Sequence, residues 1–464
     1  MKNKKVLVIG AGFAGLAAAL ELSKKGIEVF IVEKSSAAGG LSQTINLDGV
    51  KFELGPHIYF DKDVEVVRFW KELVGENMKS YLRNNRIFYQ GKYIHSPLNP
   101  WDTLVKLGIP KVISLVSSFI FAKLKKHKIH SAEDWVKANF GKALFDNFFK
   151  VYNEKIWGLS CSEISPNWAG QRIKSSLTTM VIKSLKKDKD FIVKTFDFPY
   201  GGSESIYQAQ VDRLQQADNV KIKFNCFPTK IKTKDQGFEI SLSSGEKNLE
   251  FSDIVSTIHL DDLCDVLDSN QIDQSKLKEA LSKLLYRHLV LVNLIFPKNS
   301  VKNFKEHWID IHDPSVLALR VTNFGNYEFG LNGVDKSGVG LEYNCFESDA
   351  IWEMSDKEIL SLALADLVKM RLIDKSLQPS NFSVLKIPKS YPVYFRGYEQ
   401  YTEIIFGELK KIEGLHLAGR NSMYKWNNMH HSVKTGLLAA RNILGEQHDL
   451  FEVKGMVSIG KESD

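Results

Sequence analysis

Gly10-Ala-Gly12-Phe-Ala-Gly15 is the stretch from which the rest of this chain is read. The run before it, Lys5-Val-Leu-Val-Ile9, is short and apolar, as a strand buried on both faces is. After it Leu16, Ala19, Leu20 and Leu22 recur at helical spacing, and Gly26 supplies a stop. Residues 27–32 form a second buried strand ending at Glu33. The spacing predicts a strand, a turn, a helix and a strand. In such a unit Gly10 permits the tight turn, Gly12 lets a pyrophosphate approach the backbone, and Gly15 allows close helix–strand packing. The helix N-terminus offers free N–H groups and partial positive charge to phosphates. Glu33 stands where a carboxylate accepts the ribose hydroxyls. The expectation is a dinucleotide-binding α/β fold rather than a ligand-free glycine turn.

The chain has 464 residues with 62 Lys+Arg against 55 Asp+Glu, and 44% of it is hydrophobic. Those proportions exclude disordered, collagen-like and disulfide-scaffold classes. Its formal charge of +7 comes without an arginine-rich aromatic surface motif, so no nucleic-acid partner is expected. Four cysteines lie far apart with no C-x-x-C pair, which argues against zinc and favours a reducing, cytoplasmic compartment. No apolar run reaches the roughly 20 residues that span a bilayer. The first 22 residues imitate a secretion signal, but their glycines read as a strand and turn instead. His430-His431 makes a weak metal candidate, because adjacent residues rarely point at one ion, and no metal is expected.

Strand-like segments recur in blocks. The organisation expected is a discontinuous Rossmann-like dinucleotide-binding domain (1–61, 200–285 and 405–446) with a mainly helical insertion at 62–199. A mixed-sheet substrate domain occupies 286–404, and 447–464 is a loose tail. Within the helical part, Arg86-Ile-Phe-Tyr-Gln-Gly-Lys-Tyr-Ile94 alternates about Gln90-Gly91 like a hairpin.

After Glu33 come Lys34 and then the pair Gly39-Gly40, and much later Leu417-Ala-Gly419-Arg420. These two segments resemble the two flavin-binding stretches of the amine oxidase and UDP-galactopyranose mutase superfamily, which implies FAD. Further segments resemble the mutases themselves. Gly55-Pro-His57 resembles the segment whose histidine lies over the flavin ring. Tyr152 to Gly158 with Trp168 to Arg172 resembles the stretch carrying a substrate tryptophan, here Trp157, and a diphosphate arginine, here Arg172. Leu319-Arg320-Val-Thr-Asn323 resembles the second diphosphate arginine with its neighbours, and Ser390-Tyr391-Pro392 matches a diphosphate-contacting tyrosine. The terminal motif runs through Trp426 to Met429. Trp426 stands where a second tyrosine is usual, and Asn428 and His430 stand where aspartates are common.

The resemblance implies pyranose/furanose isomerisation of a nucleotide-diphosphate sugar through a reduced-flavin N5 adduct, in cell-surface polysaccharide biosynthesis. NAD(P)H is the candidate reductant. His57, Arg172 and Arg320 would be catalytic. Gly10, Gly12, Gly15, Glu33, Gly39, Gly40, Gly419, Arg420 and Met429 would hold the cofactor. Trp157, Arg172, Asn323, Tyr391 and Trp426 would hold substrate. Each arginine also reads as a domain-bridging salt bridge, Trp157 as core, and His57 as a structural histidine. The alternative activity is an amine- or porphyrinogen-oxidising flavoenzyme, and a flavin-binding scaffold is a third reading. For an oxidase of greasy substrates, residues 112–122 and the lysines after them could touch a membrane peripherally, although a buried bundle helix also fits. Oligomeric state is left open.

Overall fold

A computed structural model describes residues 4–57, 59, 63–96, 100–172, 195–302, 304–327 and 335–453. Its central layer is a five-stranded parallel sheet ordered Leu415–Leu417, Asp253–Ser256, Lys5–Ile9, Glu28–Val32, Val220–Lys223. The strands come from the start, middle and end of the chain, so the sheet closes only by long excursions. Along the first strand Val6 and Val8 enter one apolar core while Leu7 and Ile9 enter another. A strand with no polar face must be covered on both sides. One cover is the helix Phe13–Ser23, which packs against Met429–Ile443 and Ser203–Gln215.

A seven-stranded mixed sheet lies beyond it, ordered Asn381–Pro392, Tyr286–Pro297, Lys336–Cys345, Arg320–Asn323, Trp308–Ile311, Asn85–Tyr89, Lys92–His95. Its last two strands form the hairpin expected about Gln90-Gly91, with φ of 48° and 69° at those residues. Two successive positive φ values give the turn whose twist matches the flanking strands. The hairpin leaves the helical insertion and extends the sheet of the 286–404 region, pairing in parallel with Trp308–Ile311. The third core fills this sheet's far side under the helix Asp356–Lys369.

The expected tail does not begin at 447. Leu450 is buried, the Phe451 ring packs 4.8 Å from that of Phe406, and the Lys425 ammonium donates to the Phe451 carbonyl. The apolar pair Leu450-Phe451 holds the chain down. Among the described residues no helix is long and apolar enough to cross a membrane.

Candidate functional site

The glycines of the N-terminal turn divide by what crowds them. At Gly10, φ is +102° and a Cβ would come 2.3 Å from Thr257 Oγ1; at Gly15 it would come 2.0 Å from the Gly10 carbonyl oxygen. Those two positions are closed by the protein's own packing. Gly12 is different: its φ is −80°, open to any residue, and a Cβ there would meet nothing closer than Gly40 Cα at 3.9 Å. It begins the helix Phe13–Ser23, which has no side-chain cap and no acid in its first turn. Nothing among the described residues requires glycine at this point, whereas a phosphate lying against the helix N-terminus does.

Gly39 and Gly40 close over the same spot. Gly12 and Gly39 form a parallel bridge, Gly39 N–H donates to the Ala11 carbonyl at 2.9 Å, and a Cβ on Gly40 would lie 3.3 Å from Gly12 Cα. Buried Glu33 accepts from Ala11 N–H and Ser35 N–H, both at 2.8 Å. Two backbone donors fix its carboxylate and leave further lone pairs for a ribose. Gly419, φ +83°, packs against Ala14 and donates its N–H to Thr435 Oγ1 at 3.1 Å. Met429 opens the C-terminal helix and is buried. The residues present fit FAD, which Gly12, Gly39, Gly40 and Glu33 would hold by its diphosphate and ribose.

A second constellation sits on the seven-stranded sheet. Asp310, Arg320 and Glu342 occupy one rung of three adjacent antiparallel strands, so their side chains share a face. Arg320 Nε donates to Asp310 at 2.9 Å, Nη1 to Glu342 at 3.4 Å, and Nη2 to the Tyr152 hydroxyl at 3.2 Å. Tyr152 in turn donates to Asp310 at 3.0 Å and stacks on His312 at 4.4 Å. Burial alone would raise Asp310, yet the Arg320 guanidinium holds it below the usual carboxylate range. Glu342 goes the other way, because burial outweighs Arg320 and raises it. Burial pushes the His312 imidazole down to about 4, and its Nδ1–H donates to the Phe148 carbonyl.

Gly55, φ +108°, lies against this rung, with Glu342 Oε2 3.5 Å from where its Cβ would be. Two residues on, His57 meets Glu53 at 2.9 Å through Nδ1. The Glu53 carboxylate is buried and also accepts from Thr44 Oγ1 and Ser203 N–H. A carboxylate can only accept, so Nδ1 carries the proton and Nε2 is the nitrogen presented outward.

The third group is aromatic. Tyr391 stacks on Trp426 at 4.5 Å, Trp426 lies 5.1 Å from Trp157, and Trp157 meets Trp168 at 5.3 Å. Trp157 is 0% exposed, yet its Nε1–H has no acceptor among the described residues. Arg420 sits 4.7 Å over the Tyr391 ring and donates to the Asn427 and Ser390 carbonyls. It ties the terminal motif to the Tyr391 strand, and none of its described bonds is to the glycine cradle.

Trp157, Tyr391, Trp426 and Arg420 are therefore brought together from distant segments. Arg320 lies on the charged rung, and His57, held by Glu53, is near enough to act on the Glu342 carboxyl of that rung. Asn323 is elsewhere: its amide oxygen caps Gly325 N–H and its amide donates to the Phe304 carbonyl. Arg172 ends the helix Pro166–Arg172 that carries Trp168, but its side chain lies outside the described residues. Sequence reading passed over Glu53, Asp310, Glu342 and Tyr152. The available signal was an acid flanked by apolar residues in strand-like runs, as in Phe52-Glu-Leu, Ile309-Asp-Ile and Leu341-Glu-Tyr.

A family model described as flavin containing amine oxidoreductase matches residues 13–444. A probable UDP-galactopyranose mutase of Klebsiella pneumoniae is 24% identical over 48% of this chain and 56% of its own length. The match thus spans little more than half of that relative. The coproporphyrinogen III oxidase of Bacillus subtilis (strain 168) is 25% identical over 86% of this chain and 89% of its own. Among solved structures, reduced UDP-galactopyranose mutase superposes with a TM-score of 0.83 at 19% identity, covering 96% of this chain and 94% of that one. At that identity the likeness is one of fold, the mixed α/β architecture with its several sheets and helices.

Proposed function

We propose that this chain, which belongs to the flavin containing amine oxidoreductase family and so uses FAD, is a sugar-nucleotide mutase that isomerises a nucleotide-diphosphate sugar between ring forms. The observation that carries this reading is the aromatic group with its unsatisfied donor. A fully buried indole N–H without an acceptor costs about 1–3 kcal/mol, and a polar ligand beside it recovers that cost. Stacked Tyr391 and Trp426 next to it suit the flat face of a base or sugar and the oxygens of a diphosphate. Bound in the glycine cradle, FAD supplies a nucleophile when reduced and a hydride acceptor when oxidised. The chain's own part is to orient substrate against the half-buried Tyr391 and Trp426, and to hold the His57 ring in one tautomer through Glu53. This reading assigns the protein to polysaccharide assembly, with NAD(P)H as a candidate reductant.

One observation favours the second reading, an oxidoreductase acting on an amine or a porphyrinogen. All three nitrogens of Arg320 are already held by Asp310, Glu342 and Tyr152. A diphosphate entering there would meet two carboxyl groups, and guanidinium bonds would have to be exchanged rather than added.

The test is to incubate dithionite-reduced, FAD-loaded protein with UDP-galactose and separate the nucleotide sugars by anion-exchange chromatography. A new isomer formed only by reduced protein, and suppressed tenfold or more by Trp157→Phe, is the expected result. No isomer from any nucleotide sugar, with oxygen consumed on a porphyrinogen or amine, would replace the mutase with the oxidase.

A further inference from the structure

The helix Ile109–Leu124 presents an apolar stripe to the outside. Leu115 and Ala122 are buried on one side, where Gly141 lets the backbone at Ser118 approach and Ser118 Oγ caps Ala143 N–H at 2.9 Å. On the opposite side Ile109, Ile113, Val116, Ile120 and Leu124 recur at three- and four-residue intervals, all exposed. Ile113 is 62% exposed, Phe121 65% and Leu124 76%, values foreign to a helix buried in a bundle. Scattered exposed apolar residues need no explanation, but a contiguous stripe on one helix does.

The charges around it say what covers it. From residue 103 to residue 132 there is no Asp or Glu, while Lys106, Lys111, Lys123, Lys125, Lys126 and Lys128 all fall within that span. The last four cluster at the stripe's C-terminal end and are exposed. An apolar face bordered by charge of one sign suits a surface of the opposite sign. A second copy of the same face would bring lysine against lysine.

We infer that this helix is an interfacial anchor, which lays its stripe into the headgroup–acyl boundary of an anionic lipid surface while the lysines contact lipid phosphates. A stripe of this kind lies in the membrane plane and needs no span. The anchor is separate from the flavin cradle and stands whichever substrate the enzyme takes.

The test is flotation of the FAD-loaded protein with phosphatidylcholine vesicles, with and without phosphatidylglycerol. The protein is expected to float with phosphatidylglycerol-containing vesicles and to be released by high salt. The double substitution Ile113→Asp/Phe121→Asp should lower the floated fraction at least tenfold, with flavin content and melting temperature unchanged. Lys125→Glu/Lys126→Glu should weaken flotation several-fold. Absence of flotation, or equal flotation of the Ile113→Asp/Phe121→Asp protein, would overturn the anchor. So would a concentration-dependent dimer lost in that variant without vesicle binding, since a second copy would then own the face.

Discussion

The glycine cradle and the charged rung of the seven-stranded sheet are opposite ways to build a site. The cradle is backbone: its donors are main-chain N–H groups, its geometry comes from glycines within about 30 residues, and its one important side chain, Glu33, is pinned by two of those N–H groups. The rung is side chain. Asp310, Arg320 and Glu342 come from three neighbouring strands, Tyr152 from a helix far away in the sequence, and the four define one another's charge. Backbone sites tolerate changes around them and fail when a Cβ is added. Charge clusters tolerate added volume poorly and fail when one partner is removed, because the remaining charges stay buried.

If that contrast is real, Arg320→Ala should have the largest effect. It leaves Asp310 and Glu342 without their cation and should cost about 3–5 kcal/mol in denaturant unfolding. A loss under about 1 kcal/mol would mean the rung is wetter than its burial implies. The next effect follows from His312. Unfolded, its imidazole takes a proton below about 6.5, but folded it refuses one until about 4. Stability is therefore full above about 6.5 and declines as pH falls toward about 4, by about 3 kcal/mol for this group. His259, pushed down to about 3 by burial and by the nearby Lys389, adds to the same decline. Unfolding curves across that range should show the slope, and His312→Phe should make it measurably shallower.

The cradle is sharpened by Gly12→Ala. Because Cβ space at residue 12 is free of protein atoms to 3.9 Å, the melting temperature of the FAD-free protein should not move, while FAD affinity falls about 10- to 100-fold in a fluorescence titration. The paired change Gly15→Ala should do the reverse first, lowering stability of the FAD-free protein, since its Cβ would sit 2.0 Å from the Gly10 oxygen. The smallest effect expected is Arg420→Met, which loses charge-assisted bonds to two carbonyls and should cost about 1–2 kcal/mol by calorimetry, with little change in flavin content.

The same contrast explains what could be read before the structure. The cradle was legible because its glycines and acid fall within one short strand–turn–helix–strand stretch, whatever crowds each of them. The Gln90-Gly91 hairpin was legible for the same cause, a turn requirement two residues long. Where the hairpin goes was not, since pairing Asn85–Tyr89 with Trp308–Ile311 is decided more than 200 positions away. Arg320 could be singled out as a cation, but its three partners could not, because an acid in a strand carries no mark of which strand will lie beside it. Asn323 shows the converse: a plausible ligand residue by position is taken up by its own turn.

The order of the parallel sheet also has a meaning in time. Its first strand lies between the strand at Glu28–Val32 and one at Asp253–Ser256, and its edge is Leu415–Leu417. The helix that faces the cofactor is sealed by Gly436, whose position would place a Cβ 2.1 Å from the Ala14 oxygen. A ribosome making this protein therefore releases the phosphate loop long before the helix that covers it. Until Met429–Ile443 has emerged, the face of the N-terminal helix that it covers stays open, and a nascent chain must be kept from aggregating while it waits. A chain cut before Gly436 would therefore carry a cradle that was made early and never closed.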